Sequence, residues 1–326
     1  MDFAQKVKKL VSLFRKFLYS EYGFLGLVLI ILVLALSLAS EKFFTSANAI
    51  AILHQSSMVL IVAIGMTVLM ISAEVDISVG ASLGFASCVV MDVVNQTNSI
   101  TLGIAAGVAF GAGVGVVNAV VTTVLKVNSL IGTIAMMMML QGGVFLFTRE
   151  AVQNHHQLPL FPKIATGFIL GIPVPVVIAA VVAGIGWLAL SRTMVGRLFL
   201  ATGANDKATR ISGYSPERIK FFGFVLAGSL VGLCAVILAS LLNAGQPTAG
   251  TGFELTVIAA VLLGGTSLMG GRGTILGTIL AVAILKVIDN GIILMRWNQD
   301  LQIIVPGVVL ILALYMDQKK RGAGHG

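Results

Sequence analysis

Ten stretches of mainly apolar residues recur along the chain, with short polar segments between them. They lie at 23–39, 47–72, 78–95, 101–125, 128–148, 173–190, 219–241, 254–270, 273–295 and 301–316. An α-helix of about 20 apolar residues crosses the hydrocarbon core of a bilayer, whereas a soluble protein would have to bury all these stretches at once. Because 57% of the residues are apolar and only 10% are charged, we predict an all-α polytopic membrane protein with about ten transmembrane helices.

Two interruptions allow more than one division of these spans. The acidic segment 74–80 and the glycine-rich segment 268–274 are each compatible with a loop between helices or with a break inside the membrane. The two divisions differ by one or two in the number of spans.

The positive charges predict the orientation, because Lys and Arg are retained on the cytoplasmic side during insertion. If the N-terminus lies inside, the outside loops carry only four of the 21 Lys and Arg residues, namely Lys42, Arg149, Lys163 and Arg296, and Lys286 falls within a span. Both termini are therefore predicted to be cytoplasmic. The net charge of +8 follows from this topology, and we expect no nucleic-acid partner.

The same topology divides the chain into three parts. Residues 1–22 place apolar side chains at helical spacing between cations, which predicts an amphipathic cytoplasmic helix, with a cleaved signal sequence as the alternative. Residues 23–316 form the transmembrane domain, which includes a cytoplasmic loop at 191–218 with several cations. Residues 317–326 form a cytoplasmic tail.

Glycines recur every four residues in the fourth span, at Gly103, Gly107, Gly111 and Gly115. One face of this helix is therefore bare backbone, which favours close packing against another helix over a ligand site. The pairs Gly228 with Gly232 and Gly273 with Gly277 repeat the spacing.

Ionisable residues near the spans are costly unless they are paired or hydrated. Glu74 and Asp76 interrupt the second and third spans, where Asp76 or Ser78 is suited to cap the next helix. Lys286 and Asp289 lie three residues apart on one helical face and can neutralise each other. A structural ion pair is the favoured interpretation of Lys286 and Asp289, and a transport role is the alternative.

Motifs for catalysis or cofactor binding are missing from the sequence. Residues 265–274 resemble a phosphate-binding loop but lack its Gly-Lys-Ser/Thr ending, so we expect no ATP binding by this chain. His155 and His156 are adjacent and without nearby metal ligands, and Cys88 and Cys234 lie in the middle of spans. We therefore expect no metal, no cofactor, no disulfide and no enzymatic activity.

Four blocks of sequence, in order along the chain, resemble the permease subunits of ribose-type ABC importers. They are Gly65-Met-Thr with the segment 74–80, residues 196–205 through 211–213, residues 252–260, and residues 263–271. The chain departs from the family pattern at Glu74, Val75, Asn128, Gln141 and Lys286. The resemblance covers nearly the whole chain.

The resemblance implies a fold of about ten helices in the bacterial cytoplasmic (inner) membrane. It implies import of a sugar or related polyol by alternating access, driven by a separate cytoplasmic ABC ATPase. The other implied partners are a second copy of the chain or a related permease, and a periplasmic or lipid-anchored substrate-binding protein. ATP hydrolysis would then belong to a different chain.

The resemblance also assigns roles to residues. It implies that residues 203–213 form a short helix that fits a groove of the ATPase, with Gly203, Asn205, Lys207, Ala208, Arg210, Ile211 and Gly213 as the coupling residues. Ser215, Pro216 and Glu217 then start the seventh span. Candidates for the translocation path or its gates are Glu74, Asp76, Ser78, Asn118, Gln141 and Glu254.

Two other classes compete with this interpretation. An ion-coupled secondary transporter would use Asp76, Lys286 and Asp289 as its coupling site, but it gives the cytoplasmic loop no purpose. A membrane-embedded enzyme would require a reactive cluster that the sequence spacing does not provide.

Overall fold

The computed structural model describes residues 21–155 and 158–322, and within them it contains thirteen α-helices. These are α1 Glu21–Ala39, α2 Ser46–Ile71, α3 Val79–Thr97, α4 Ile100–Ala119, α5 Ser129–Phe147, α6 Lys163–Thr166, α7 Val174–Arg192, α8 Met194–Ala204, α9 Asp206–Ile211, α10 Pro216–Leu242, α11 Phe253–Leu263, α12 Ile275–Leu294 and α13 Leu301–Gly322. A π-helical turn, Val120–Val124, continues α4. Two small antiparallel sheets pair β1 Val152–Gln153 with β4 Ala244–Gly245, and β2 Phe168–Ile169 with β3 Ile172–Pro173.

Eight of these helices are long and apolar enough to cross a membrane, namely α1, α2, α3, α4 with its π turn, α5, α7, α10 and α12. Shorter apolar helices are α8, α11 and residues Leu301–Tyr315 of α13. The prediction of an all-α polytopic membrane protein is therefore confirmed. The cytoplasmic position of both termini stays a prediction, and most of the amphipathic N-terminal helix and part of the C-terminal tail lie outside the described residues.

One predicted span is wrong in its extent. The predicted span 254–270 is helical only as α11, which ends at Leu263, and residues 264–274 form an irregular segment. Gly265, Gly270 and Gly271 have φ values of +87°, +84° and +75°, a backbone region that glycine enters without steric cost and that ends a helix. The acidic interruption behaves similarly, because α2 ends at Ile71 and α3 begins at Val79. We call residues 72–78 the first break and residues 264–274 the second break.

Three glycines of the α4 ladder, Gly107, Gly111 and Gly115, pack against α10, whereas Gly103 faces Val90 and Val94 of α3. A Cβ added at Gly111 would lie 2.7 Å from the backbone nitrogen of Gly232, and one added at Gly115 would lie 3.0 Å from Cα of Val225. Gly228 and Gly232 are thus the partners of the ladder on α10. Close contact of the two backbones replaces side-chain interdigitation along this crossing.

Replacing Gly111 with valine should therefore destabilise the protein by about 1–3 kcal/mol, because the added atoms overlap backbone that cannot move aside. Gly113→Val is the matched control, since an added Cβ at Gly113 has no atom within 4 Å and the change in helix propensity is the same. Thermal unfolding in detergent should separate the two variants. Equal melting temperatures would contradict the tight packing of α4 on α10.

The loops gather at two opposite ends of the helices. At one end, β1 pairs with β4, and the amide of Asn95 donates to the carbonyl of Gln153 over 2.8 Å. At the other end, the first break, the second break and the segment from α8 to the start of α10 come together. This second end corresponds to the side that the positive charges predict to be cytoplasmic.

Candidate functional site

The segment predicted to meet an ATPase is built from two helices. The resemblance implied one helix over 203–213, but α8 continues to Ala204 and the separate helix α9 covers only Asp206–Ile211. Asn205 causes the division, because its backbone is extended with φ −162° and its side-chain oxygen accepts a 3.0 Å hydrogen bond from the nitrogen of Ala208. Asn205 is thus the N-cap of α9, and Gly203 belongs to the end of α8.

Most of the implied coupling residues lie on the surface. Asn205, Lys207, Ala208, Arg210, Ile211 and Gly213 are all exposed. Ile211 is 88% exposed, although isoleucine is normally buried. An apolar side chain at the tip of a short, charged helix is suited to insert into a pocket of another protein.

Gly203 differs from the other residues of this set, because it packs inside the protein. A Cβ added there would overlap the carbonyl oxygen of Ile71 and would lie 2.6 Å from the nitrogen of Gly271. That nitrogen donates a 2.8 Å hydrogen bond to the carbonyl of Ile71. Gly270 completes the contact, since its own Cβ position is 2.9 Å from Cα of Gly203 and 2.8 Å from Ala73.

The end of α8 therefore touches both breaks at once. We call this contact, formed by residues 71–73, 203–204 and 270–271, the glycine junction. Its close contacts join backbone atoms and alanine Cβ atoms, which leave little room to deform.

Ion pairs tie α9 to the transmembrane helices. Lys220 Nζ, near the start of α10, lies 3.0 Å from Glu74 of the first break and 2.9 Å from Asp206 of α9. Glu217 pairs with Arg210 of α9 and, over 3.0 Å, with Lys126. Lys220 and Glu74 are mostly buried, whereas Lys126 and Arg210 are exposed. Glu74 is thus placed against the segment from α9 to the start of α10, whereas the sequence suggested it for the translocation path.

Asp76, Ser78 and Asn118 form a buried polar cluster beside the first break. Asp76 Oδ1 accepts hydrogen bonds from the nitrogen of Ser78 at 2.8 Å and from its hydroxyl at 2.6 Å. The amide of Asn118, on α4, donates to Asp76 Oδ2 at 3.1 Å and to the Ser78 hydroxyl at 3.0 Å. All three residues are at most 2% exposed. The cluster therefore fixes the start of α3 to α4.

Hydroxyl groups of α5 accept hydrogen bonds from the backbone of the first break. The nitrogen of Val75 donates to Ser129 Oγ at 3.4 Å, and the nitrogen of Ile77 donates to Thr133 Oγ1 at 3.1 Å. Buried backbone without secondary structure needs such partners, especially in a membrane protein. These bonds explain how an irregular segment stays buried between two long helices.

Glu254 also lies beside the start of α3. It ends the segment that leads from β4 to α11 and packs along α3. The segment 244–254 runs along the first turns of α3, and a Cβ added at Gly250 would lie 2.7 Å from the carbonyl carbon of Gly80. The carboxyl carbon of Glu254 is 3.2 Å from the Cβ position of Gly80. Farther along, the nitrogen of Gln246 donates to the Ser87 hydroxyl over 3.1 Å. The start of α3 is thus bounded by Asp76 on the break and by Glu254 beside Gly80.

The remaining candidates lie apart from this region. Gln141 is exposed on α5 and does not join the Asp76 cluster. On α12, Lys286 Nζ lies 2.7 Å from Asp289 Oδ2, and both side chains are largely buried. Next to them, Asn290 and Asn48 exchange two side-chain hydrogen bonds of 2.7 and 3.0 Å between α12 and α2.

Several residues of this site escaped the sequence analysis. Asp206, Glu217, Lys126 and Lys220 carry the ion pairs. The pairs Lys220–Glu74 and Lys126–Glu217 join parts of the chain that are far apart in sequence, whereas Arg210–Glu217 and Lys220–Asp206 join α9 to the nearby start of α10. The charge excess of the loop 191–218 was a signal that ion pairs would form, yet it did not identify the partners. Among the described residues, no group of three or more His, Cys, Asp or Glu side chains could hold a metal ion.

The family described as "Branched-chain amino acid transport system / permease component" matches residues 48–314. The chain is 38% identical to the ribose import permease protein RbsC of Escherichia coli (strain K12), over 90% of this chain and 93% of that protein. It is also 38% identical to RbsC of Bacillus subtilis (strain 168), over 91% and 92% of the two chains.

A relative named for a different sugar is nearly as similar. The L-arabinose transport system permease protein AraH of Escherichia coli (strain K12) is 34% identical, over 94% of this chain and 93% of that protein. No solved structure shows a significant match to the chain.

Proposed function

The chain belongs to the permease family of ribose-type ABC importers, and from this premise we propose that it imports a sugar by alternating access, driven by a separate ATPase subunit. As a member of this family it is a multi-pass inner-membrane permease for sugars. Relatives named for ribose and for L-arabinose make a pentose the first substrate class to test. Its partners would be an ABC ATPase, a second identical or related permease, and a substrate-binding protein.

The observation that supports ATPase coupling is the glycine junction. The exposed helix α9 follows directly after Gly203, and Gly203 touches the end of α2 and the second break. A displacement of α9 would therefore reach α2, α11 and α12 through backbone contacts and reach the first break through the Lys220 ion pairs. Packed elements with few side chains between them transmit such a displacement as rigid bodies.

The Asp76 cluster and Glu254 would then occupy the moving region of the translocation path. They flank the start of α3, where the irregular segments 72–78 and 244–254 approach each other. Irregular backbone in a membrane protein is tolerated where it is buried in protein or lines a cavity, so these two segments would suit a gate of the path. An ion-coupled mechanism has less support, because Lys286 and Asp289 already neutralise each other on one helix.

The direct test is co-purification in mild detergent from cells that express the complete transport system, followed by mass spectrometry. We expect a near-stoichiometric ATPase, and ATP-dependent uptake of labelled ribose or L-arabinose by vesicles that contain the complex. A chain that purifies alone and moves sugar without ATP would instead indicate a secondary transporter.

The variant Ile211→Glu should lower the recovery of the ATPase about tenfold or more, because a charge would replace the exposed apolar side chain that we assign to its pocket. Leu170→Glu is the matched control, since Leu170 is 98% exposed in the turn between β2 and β3 at the opposite end of the helices. Recovery should be measured as the molar ratio of ATPase to permease. An unchanged ratio for Ile211→Glu would show that α9 is not the docking helix.

A further inference from the structure

A second feature lies beside the coupling segment and shares Gly213 with it. Two adjoining cavities open along α7, α8 and α10, one of about 190 Å³ and one of about 680 Å³. They share Val195, Phe199 and Leu226 in their walls, so they lie side by side along one groove. We call it the α8 groove.

The two ends of the α8 groove differ in chemistry. The smaller cavity is walled by aliphatic and glycine residues of α2, α7, α8 and α10, with Phe199 as its aromatic residue. The larger cavity is also mainly apolar, but Tyr214, Ser215 and Arg218 stand at its rim. A molecule with a long apolar chain and a polar head would match the apolar end and the polar rim of the groove.

Arg218 is the important residue of the rim. It is exposed, and no carboxylate of residues 21–155 or 158–322 lies within salt-bridge distance of its guanidinium. Glu217 and Lys220, its neighbours on α10, both have charged partners. The groove therefore ends at a positive charge whose partner is not supplied by the described part of the protein.

Other side chains place the rim at a membrane surface. Arg192, the last residue of α7, lies over the ring of Trp187 at 5.9 Å from the ring centroid. Phe222 and Ile185 near the groove are 67% and 65% exposed, which is unfavourable in water but normal against lipid. Aromatic and basic residues gather where a membrane protein leaves the hydrocarbon core.

We propose that the α8 groove binds an anionic phospholipid, with one acyl chain against Val195, Phe199 and Leu226 and the phosphate on Arg218. Charge complementarity selects this occupant. The N-terminal segment, which carries Lys6, Lys8, Lys9, Arg15 and Lys16, would bring positive charge to a positive rim. A zwitterionic lipid fills the apolar walls equally well but gains less from Arg218.

Native mass spectrometry of the full-length protein in detergent, with equal amounts of phosphatidylglycerol and phosphatidylethanolamine of the same acyl chains, tests this proposal. We expect phosphatidylglycerol to be retained about fivefold better, the effect of one interfacial cation. Arg218→Gln should remove the preference, and Val195→Trp should reduce the retention of both lipids by filling the groove. Arg197→Gln is the control, because Arg197 is an exposed cation of α8 that does not line the groove.

Both variants are expected to fold. The cap of α10 uses the backbone nitrogen of Arg218, which the substitution retains, and Val195 is already 55% exposed. Equal lipid preference in wild type and Arg218→Gln would overturn the proposal, as would full retention in Val195→Trp. Binding of glycerol phosphate to wild type and to Val195→Trp as tightly as the lipid binds would show that the rim takes a free phosphate and that the apolar walls contribute nothing, which would also overturn the proposal.

Discussion

Replacing Gly203 with alanine is expected to reduce ATP-driven sugar uptake by about tenfold to 100-fold while ATP hydrolysis continues. The added Cβ would overlap the carbonyl of Ile71 and approach the nitrogen of Gly271. Such overpacking costs about 1–3 kcal/mol in any state that keeps the contact. A penalty of this size shifts an equilibrium between two conformations by one to two orders of magnitude. The variant would thus separate movement of α9 from movement of the two breaks.

Gly184→Ala is the matched control, since an added Cβ at Gly184 has no atom within 4 Å and the helix propensity changes equally. Uptake and ATP hydrolysis should be measured on the same vesicles, with the melting temperature and the amount of bound ATPase as checks of folding and assembly. Normal uptake by Gly203→Ala would exclude the glycine junction as the coupling route.

Gly203 and Gly213 differ in their surroundings, although both belong to the implied coupling residues. The resemblance grouped Gly203 with the residues of the docking surface, and from sequence alone nothing distinguishes it from Gly213. The structure separates them, because Gly203 contacts Ile71 whereas an added Cβ at Gly213 meets nothing within 4 Å. In the proposed mechanism, two consecutive parts of one segment would have different tasks: α9 would meet the ATPase, and the end of α8 would pass its movement inward.

Features that depend on neighbouring residues were predictable from the sequence. The long helices follow from apolar windows of about 20 residues, and the start of α10 follows from Ser215 and Pro216, where the Ser215 hydroxyl accepts from the nitrogen of Arg218 over 3.5 Å. The packing role of the α4 glycines follows from their spacing of four. Each of these signals lies within a few turns of the chain.

Features that depend on tertiary contacts were not predictable. Hydropathy alone does not distinguish a glycine that packs a helix, such as Gly111, from one that ends it, such as Gly265, whose φ is +87°. The predicted span 254–270 was too long for this reason. Likewise, Lys220 meets Glu74 only because α10 passes beside the first break, and no sequence spacing encodes that contact.

The second large effect concerns Lys286 and Asp289. Lys286→Ala should lower the free energy of unfolding by about 3 kcal/mol, because it leaves the largely buried carboxylate of Asp289 without its partner. The double variant Lys286→Ala with Asp289→Ala should lose less, since neither charge then remains. Lys126→Ala is the control for removing a lysine from an ion pair, and it should cost below about 1 kcal/mol because Lys126 is 65% exposed.

Two measurements decide between the two roles of this pair: unfolding in detergent and sugar uptake. Both are made on the wild type, Lys286→Ala, the double variant and Lys126→Ala. If the pair is structural, both stability and uptake recover in the double variant, because each charge is needed only to neutralise the other. If it couples transport to an ion, uptake stays lost in the double variant although stability recovers, since a neutral pair of alanines cannot bind or release a cation or a proton. A double variant that loses as much stability as Lys286→Ala, or more, would show that the two side chains do not interact in the folded protein.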